Sequence, residues 1–461
     1  MTELADLTAV ELVAEYRAGT LSPVEVTEAV LTRIEAAEPV LRATYALDPD
    51  AALAAARAAE RRWSRGAPAG PVDGVPVTVK ENIATRGTPV PLGSAATELV
   101  PAAEDAPAAA RLRESGAVLL AKTTMPDYGM LSSGLSSFHP LSRNPWDTGR
   151  TPGGSSSGAA AAAAAGYGPL HVGTDIGGSI RLPAGWCGLV GLKPSFGRVP
   201  VDPPYPGRVV GPITRTVADT ALLMAVLSTP DDRDHLSLPP ADIAWQELDI
   251  DLTGLRVGHL PSAGVGLDPE PEVAAAVAAA ARAFASAGAV VEPVEPFLTR
   301  EMLDGLDRFW RVRFWTDLAR MPDGRRDRVL PYIREWAEGG AGLSGTEVYQ
   351  GFAQMDAMSV AALRACQPFD VVLSPVSPVP AFPAEAASPT NDPARPFEHI
   401  GFTVALNMSG QPAVSVNCGY TVDGLPIGLQ ITGRRFDDLG VLRVASAYEQ
   451  LRPPQRPWPS P

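Results

Sequence analysis

Two runs rich in glycine and serine hold the residues of this sequence that are best suited to nucleophilic chemistry. They are Gly153-Gly-Ser-Ser-Ser-Gly158 and Gly173-Thr-Asp-Ile-Gly-Gly-Ser-Ile-Arg181. In the second run, the hydroxyl of Ser179 directly follows two glycines. Because glycine lets successive backbone N–H groups converge on one point, this pattern suits an oxyanion hole beside a serine nucleophile. The alternative interpretation is that both runs are only flexible loops.

Three other motifs can be tested against Ser179 of the second run, and none of them fits. A Walker A phosphate loop needs Gly-Lys-Ser or Gly-Lys-Thr, and neither occurs in the chain. The nucleophile elbow Gly-x-Ser-x-Gly needs glycine at the position that Arg181 occupies. The Ser-x-x-Lys motif is absent, because no serine lies three residues before a lysine. A serine nucleophile therefore needs a base from elsewhere in the chain.

Lysine is the most informative candidate for that base. The chain has 38 lysines and arginines, but its only lysines are Lys80, Lys122 and Lys193, each in an apolar stretch. A desolvated, neutral lysine can deprotonate a serine. The chain has only five histidines. Lys80, at the end of an apolar strand, is the natural choice.

Helices and strands alternate around these residues. Two N-terminal helices are predicted at the capping boxes Thr8–Glu11 and Ser22–Glu25. Further helices are predicted over 48–64, 104–115, 159–165, 212–228, 271–287, 297–365 and 438–451. Strands are predicted over 75–79, 117–121, 255–259, 289–294 and 370–374, short strands and turns over 168–200, and a hairpin over 412–433. No linker divides the chain, so we expect one large α/β domain.

Composition and charge limit the class of protein. The 461 residues are 45% hydrophobic and 20% charged, which is typical of a globular protein. The net charge of −14 argues against nucleic acid or an anionic membrane as the partner. The spacing of cysteine and histidine favours neither a disulfide framework nor a metal site. The acidic N-terminus predicts no signal peptide, so we expect a cytoplasmic protein.

Several longer motifs, in their order along the chain, resemble those of the amidase signature family. Besides the two runs, they are Val77-Thr-Val-Lys-Glu-Asn82, Gly188-Leu-Val-Gly-Leu-Lys-Pro194 and Gly424-Leu-Pro-Ile-Gly-Leu-Gln430. The resemblance extends to about residue 450 and is weakest over 230–400. It implies the amidase signature fold, an α/β architecture with a large, twisted, mixed β-sheet covered by helices on both faces. It implies one amidase domain over 1–461, made of N-terminal helices (1–65), a signature core (70–228), a variable region with substrate-pocket helices (229–365) and the C-terminal part of the core (366–461).

The resemblance also implies a catalytic Ser–Ser–Lys triad without any metal or cofactor. Ser179 corresponds to the nucleophile, Ser155 to the bridging serine that follows a cis peptide bond from Gly154, and Lys80 to the general base. The implied oxyanion hole consists of the N–H groups of Ile176, Gly177, Gly178 and Ser179. The implied supporting residues are Ser156, Thr174, Asp175 and Arg181. Ser157 departs from the pattern, since many members have glycine there.

The implied substrate is a neutral, largely apolar amide, anilide or carbamate (urethane), with ester hydrolysis as a side activity. The residues that would line its pocket are mostly apolar: Tyr128, Gly129, Met130 and Leu131. Aromatic residues over 309–336 suit either the core or a pocket wall. A carboxylate on the substrate would need an arginine, and Arg311, Arg313 and Arg334 are equally suitable.

Two other functions stay open. The first is a glutaminase-type subunit of a tRNA-dependent amidotransferase, which shares these motifs and needs a partner subunit. The second is a non-catalytic binding protein. For the stand-alone hydrolase, we expect a monomer or homodimer whose only other partner is its small-molecule substrate. Structural roles are expected for Lys122, Lys193 and the buried Cys187.

Overall fold

An eleven-stranded mixed β-sheet organises the chain, for which a computed structural model describes residues 3–459. The strands are β1 (Thr44–Tyr45), β2 (Pro76–Lys80), β3 (Val118–Thr123), β4 (Leu170–Asp175), β5 (Val190–Lys193), β6 (Val209–Thr214), β7 (Arg256–His259), β8 (Val290–Pro293), β9 (Val371–Pro375), β10 (Ala413–Tyr420) and β11 (Pro426–Gly433). The α-helices are α1 (Ala9–Ala18), α2 (Pro23–Leu41), α3 (Pro49–Trp63), α4 (Pro107–Glu114), α5 (Ser157–Ala165), α6 (Arg181–Trp186), α7 (Val217–Leu227), α8 (Pro271–Ser286), α9 (Arg300–Leu318), α10 (Asp323–Arg326), α11 (Pro331–Glu338), α12 (Gly345–Cys366), α13 (Val404–Met408) and α14 (Asp438–Leu451).

The order of the strands brings distant parts of the chain together. It is β1-β3-β2-β4-β6-β5-β10-β11-β9-β7-β8. The strands β3, β2 and β4 are parallel neighbours, and so are β9, β7 and β8. The strands from β4 through β6, β5, β10 and β11 to β9 pair antiparallel. A mixed sheet of this size with helices confirms the predicted fold class.

Helices pack on both faces of this sheet. On one face, α5 and α6 meet the central strands through small residues, and every alanine of the run 159–165 is at most 1% exposed. Alanine permits the close packing of helix on sheet that such a helix needs. On the other face, α7, α8 and α14 cover the strands with Val, Leu and Phe side chains. A separate cluster of aromatic and aliphatic residues joins α9, α11 and α12 to the loops that follow β9.

Most of the predicted elements are confirmed. Both N-terminal capping boxes form, and the hairpin over 412–433 is the antiparallel pair of β10 and β11. Strands β1 and β6 and helices α6 and α13 were not predicted. Strand β6 contains Gly211 and Pro212, and helix α6 contains Pro183 and Gly185, so the local sequence of each argues against it.

Within residues 3–459, no helix is both long and apolar enough to cross a lipid bilayer. Over the same range, no group of three or more His, Cys, Asp or Glu residues is arranged so that it could hold a metal ion. The three cysteines are free and buried. The predicted packing role of Cys187 is consistent with its complete burial, which raises the pKa of its thiol.

Candidate active site

Two parallel strands place a lysine and a threonine at the same edge of the sheet. Val79 of β2 is opposite Val172 of β4, so the carboxyl ends of the two strands lie side by side. Lys80 is the last residue of β2, and Thr174 and Asp175 are the last residues of β4. The Nζ atom of Lys80 is 3.0 Å from the Oγ1 atom of Thr174. The strand register thus explains why these distant residues meet.

The serines of the first run lie at the start of α5 and face this lysine. Lys80 Nζ is 2.9 Å from Ser155 Oγ and 3.1 Å from Ser156 Oγ. The peptide bond between Gly154 and Ser155 is cis, as the resemblance implies. A Cβ atom on Gly154 would lie 2.6 Å from the backbone nitrogen of Ser133, so only glycine fits there. Ser157 donates a hydrogen bond to the Ser133 carbonyl (2.9 Å), which gives the departure from the family pattern a structural role.

The surroundings of Lys80 favour its neutral form. Its side chain is fully buried, and this desolvation lowers the pKa of the amine well below its usual value, with a further contribution from the positive charge of Arg208. The charges of Asp175 and Glu81 act in the opposite direction. A neutral amine has one lone pair, so it can accept a proton from a hydroxyl in contact with it.

The hydroxyl that can give Lys80 a proton is identified by the hydrogen bonds of its neighbours. The Ser156 hydroxyl donates to the Thr174 carbonyl over 3.2 Å, so its proton is already used. The side-chain oxygen of Thr174 also contacts the amide of Asn82, at 3.2 Å. Ser155 has no other side-chain hydrogen bond among residues 3–459. Ser155 is therefore the best placed to exchange a proton with Lys80.

Ser179 lies in the turn between β4 and α6, and it is half-buried. Its carbonyl accepts a hydrogen bond from the Ser156 N–H (3.2 Å), which ties the second run to the first. Ser155 and Ser179 line the same cleft. Between their hydroxyls no direct hydrogen bond is present in the described part of the chain. The structure thus places Lys80 against Ser155 and leaves the Ser179 side chain facing the cleft.

The backbone before Ser179 offers N–H donors, but fewer than the four that were predicted. The N–H of Gly178 donates to the Asp175 carboxylate over 2.9 Å and is therefore occupied. Gly178 has φ of +126°, which favours glycine. Thr403 donates to the Gly177 carbonyl (2.6 Å) and fixes the orientation of the next peptide. For residues 3–459, the N–H groups of Ile176, Gly177 and Ser179 have no partner, and these three remain available to an oxyanion.

A buried ion pair holds this turn in place. Arg181 binds both oxygens of Asp175, through Nε and Nη2 at 3.0 Å each, and both side chains are fully buried. Burial of Asp175 opposes its ionisation, but the charge and hydrogen bonds of Arg181 outweigh this and hold the pKa of the carboxyl far below its usual range. Asn407 donates to Asp175 over 2.8 Å, and Gln430 accepts from Arg181 over 2.8 Å. The predicted supporting pair is thus part of a larger network.

The cleft above these residues has a volume of about 410 Å³. Of the predicted pocket residues, Tyr128, Gly129 and Met130 line it. The prediction for Leu131 is corrected, because its side chain is 4% exposed and belongs to the core cluster behind the wall. Tyr128 has φ of +52°, an uncommon conformation for a residue with a side chain.

The aromatic residues over 309–336 divide between the two predicted roles. Trp310 and Trp336 are buried in the cluster around α9, α11 and α12, whereas Phe314 also lines the cleft. The ring of Trp310 lies under the turn, 3.3 Å from where a Cβ of Gly177 would be. The sequence thus predicted which helices carry aromatic residues near the cleft, but it could not distinguish the residues that line the cleft from those buried in the core cluster.

Four charged residues line the mouth of the cleft, and only Arg313 among them was considered in the sequence analysis. Asp202, Arg208, Arg313 and Asp317 all line it. Of the three arginines that the sequence offered, only Arg313 lies there. Arg311 is bound to Asp307 (2.7 Å) and Arg334 to Asp327 (3.0 Å). Arg208 has no nearby motif that could have identified it.

The two other lysines lie away from the cleft. Lys122 donates to Thr85 (2.7 Å), and burial lowers its pKa to about 7. Lys193 donates to the Pro194 carbonyl (2.9 Å), and burial lowers its pKa to about 7 as well. A shifted lysine pKa therefore does not identify the base by itself, and the contact with Ser155 distinguishes Lys80.

Comparison with known proteins relates this site to a family. The family model described as Amidase matches residues 25–442. The chain is 37% identical to the A subunit of the glutamyl-tRNA(Gln) amidotransferase of Chloroflexus aggregans, over 98% of this chain and 97% of that protein. It is 34% identical to an acylamidase of Rhodococcus erythropolis, over 97% and 96% of the two chains. A bacterial aryl acylamidase of the amidase signature family superposes with a TM-score of 0.88 at 30% identity, covering 96% of each chain.

Proposed function

Because this chain belongs to the amidase signature family, we propose that it hydrolyses the C–N bond of a small amide through an acyl-enzyme on Ser179. The observation that carries the proposal is the buried Lys80, 2.9 Å from Ser155, at the base of a cleft that Ser179 also lines. The predicted roles of nucleophile, bridging serine and base are assigned to Ser179, Ser155 and Lys80 on this ground.

The first half of the reaction transfers one proton through the triad. Neutral Lys80 accepts the proton of Ser155, and Ser155 accepts that of Ser179 as the Ser179 oxygen attacks the carbonyl carbon. The contact between the two serines forms when substrate binds, since catalytic hydrogen bonds often tighten only in that complex. The proton then returns through Ser155 to the departing nitrogen. The C–N bond breaks, the amine leaves, and an ester to Ser179 remains.

The second half repeats the relay with water. A water molecule gives its proton to the same pair and attacks the ester carbonyl, and the acid is released as Ser179 regains its proton. In both halves the negative oxygen is stabilised by the N–H groups of Ile176, Gly177 and Ser179. Loss of one oxyanion donor typically costs about 3–4 kcal/mol in other hydrolases, so the orientation of this turn is a large part of catalysis.

The substrate class that we propose is an amide, anilide or carbamate with an apolar group next to the scissile bond. Support comes from the apolar side of the cleft, formed by Val90, Leu92, Met125, Met130 and Phe314. The relatives named acylamidase and aryl acylamidase are consistent with this class. Carbamate and ester hydrolysis, a cytoplasmic location and a monomeric or homodimeric state are further proposals. Size-exclusion chromatography tests the last.

A second candidate function is the glutaminase-type subunit of a tRNA-dependent amidotransferase. It is favoured by the 37% identity to the A subunit of such an enzyme. It would require glutamine as the substrate and a partner subunit for full activity. The apolar side of the cleft argues for the stand-alone hydrolase instead.

A hydrolysis panel with the purified chain separates these functions. Matched anilides, primary amides, carbamates, esters and glutamine are compared, and a fluorophosphonate probe is used to label the nucleophile. We expect anilide hydrolysis without any partner, and labelling at Ser179 that the Ser179→Ala variant lacks. Turnover of glutamine alone would favour the amidotransferase subunit. The absence of both turnover and labelling would refute an enzymatic function.

A further inference from the structure

Two arginines reach the cleft from separate elements. Arg208 immediately precedes β6, and Arg313 lies on α9, yet both line the cavity that holds Ser155 and Ser179. Arg208 lies close enough to the catalytic residues for its charge to lower the pKa of Lys80. Two like charges are thus brought together where substrate would bind.

Neither arginine is neutralised by a direct ion pair. Within residues 3–459, no carboxylate oxygen lies within 4.0 Å of either guanidinium group, whereas Arg311 and Arg334 each have such a partner. Burial and the charge of Arg313 lower the pKa of Arg208 to about 10, and Asp202 only partly offsets them. Holding two unpaired cations together is unfavourable, unless an anion joins them during function.

The guanidinium of Arg313 also has a defined position. It lies over the ring of Tyr205, with its carbon 4.1 Å from the ring centroid. Such stacking limits the motion of the side chain and leaves the N–H groups at its edge available for hydrogen bonds. The Arg313 guanidinium is therefore positioned to donate two hydrogen bonds to a planar anion, of which a carboxylate is the common biological example.

We propose that Arg208 and Arg313 bind a carboxylate of the substrate, at a distance from the scissile carbonyl. The inference rests on the proposed function and refines its substrate class. The substrate would have an amide bond, an apolar group beside it and one carboxylate at its far end. The expectation of a neutral substrate would then hold only for the inner part of the cleft.

The two acidic residues at the mouth favour a singly charged anion. Asp202 and Asp317 line the same cavity, and their charges oppose a second negative charge on the ligand. A phosphate dianion would therefore be less favourable there than a carboxylate. Because neither carboxylate touches the arginines within the described residues, a ligand has no acidic side chain to displace from them.

The test uses two matched pairs of substrates that differ only in one charge. Glutaryl-4-nitroanilide and its methyl ester place the carboxylate on the acyl side, and 4-acetamidobenzoate and its methyl ester place it on the leaving group. The quantity measured is the ratio of kcat/KM for amide hydrolysis between acid and ester. We expect a ratio of about ten or more in at least one pair, as for a charge-assisted hydrogen bond.

Variants then show whether the arginines cause the preference. The double variant Arg208→Gln/Arg313→Gln should lower the ratio to about one, and Arg313→Lys should keep part of it. Arg334→Gln, a surface control, should leave the ratio unchanged. Because Arg208 also acts on Lys80, the ratio is compared rather than either rate, and a loss of fold would not change it selectively.

The outcomes distinguish the inference from the function on which it rests. Hydrolysis of both members of each pair without a preference for the acid overturns only the carboxylate site. A preference that survives the double variant overturns it too. Absence of hydrolysis, together with absence of fluorophosphonate labelling at Ser179, overturns the proposed function and the inference with it.

Discussion

The base and the mouth of the cleft are built in opposite ways. The cleft base is the set of residues at the bottom of the cleft: Lys80, Ser155, Ser156, Thr174, Asp175 and Arg181. Their side chains are almost completely buried and hydrogen-bonded to one another. The cleft mouth is the set of residues at its entrance: Asp202, Tyr205, Arg208, Arg313 and Asp317. Each of them is half-buried or exposed. Its charged groups form no direct ion pairs with one another among residues 3–459.

This difference reflects two tasks. In the base, burial lowers the pKa of Lys80 and a fixed network orients the turn before Ser179, so chemistry and stability depend on the same residues. In the mouth, the exposed charges of Asp202, Arg313 and Asp317 add little to stability and can be exchanged for others. We therefore expect substitutions in the base to affect turnover and folding, and substitutions in the mouth to affect mainly the choice of substrate.

The largest effect is expected for Ser179→Ala. The variant lacks the nucleophile, so we expect kcat to fall by about 10⁴-fold or more, the range seen when other serine hydrolases lose theirs. Thermal denaturation should be nearly unchanged, since Ser179 is half-buried and its side chain makes no hydrogen bond within residues 3–459. Ser157→Ala, two residues from Ser155 but bonded to Ser133, is the control and should retain most turnover. Wild-type activity in Ser179→Ala would contradict the assignment.

The second effect is on stability and concerns Arg181→Met. This change leaves Asp175 buried without its cation, and breaking such a pair typically costs about 3–5 kcal/mol of unfolding free energy. Denaturant unfolding measures it. The comparison is Arg313→Gln in the mouth, for which we expect a change of about 1 kcal/mol or less, because only the stacking on Tyr205 is lost. Similar losses in the two variants would remove the distinction between base and mouth.

The base could be predicted from the sequence far better than the mouth. Lys80, Ser155 and Ser179 lie in contiguous motifs that can be recognised in the sequence alone. Thr403 and Asn407 complete the same network from α13 or next to it, more than 220 residues away, where no local pattern marks them. Arg208 is equally unmarked, since its importance comes from its position near Lys80 and Arg313 in the folded chain.

The fold shows the same limit. Strand β2 could be predicted because its β-branched residues are buried on both sides. Strand β6 could not, because Gly211 and Pro212 oppose a strand, and only pairing with β4 and β5 stabilises it. Long-range packing thus decided the elements whose local preferences were weak.

The third prediction concerns pH and joins the two regions through Arg208. Only neutral Lys80 can accept a proton, so kcat/KM should rise with pH through the pKa of Lys80 and level off well below pH 10.5. Arg208→Gln removes a positive charge that lowers this pKa, so the rise should move to higher pH.

Arg208→Lys is the matched control for this pH profile, because it keeps the charge and should keep the profile. The measurement uses a neutral anilide, so that binding of a carboxylate does not enter. A profile that stays in place in Arg208→Gln, or moves to lower pH, would contradict the proposed effect of the Arg208 charge on Lys80.

The smallest effect is expected for Asp317→Asn, which tests the mouth by itself. Asp317 is exposed and lies four residues after Arg313 on α9, so its charge repels an anion that approaches the arginines. Removing it should lower KM for the preferred carboxylate substrate by up to about fivefold, because exposed charge interactions are worth about 0.2–1 kcal/mol. The gain should shrink as salt is added, since exposed charges are screened. The unfolding free energy should change by less than about 0.5 kcal/mol. A higher KM would instead mean that Asp317 binds a positive group of the substrate, and the mouth would then recognise a zwitterion rather than an anion.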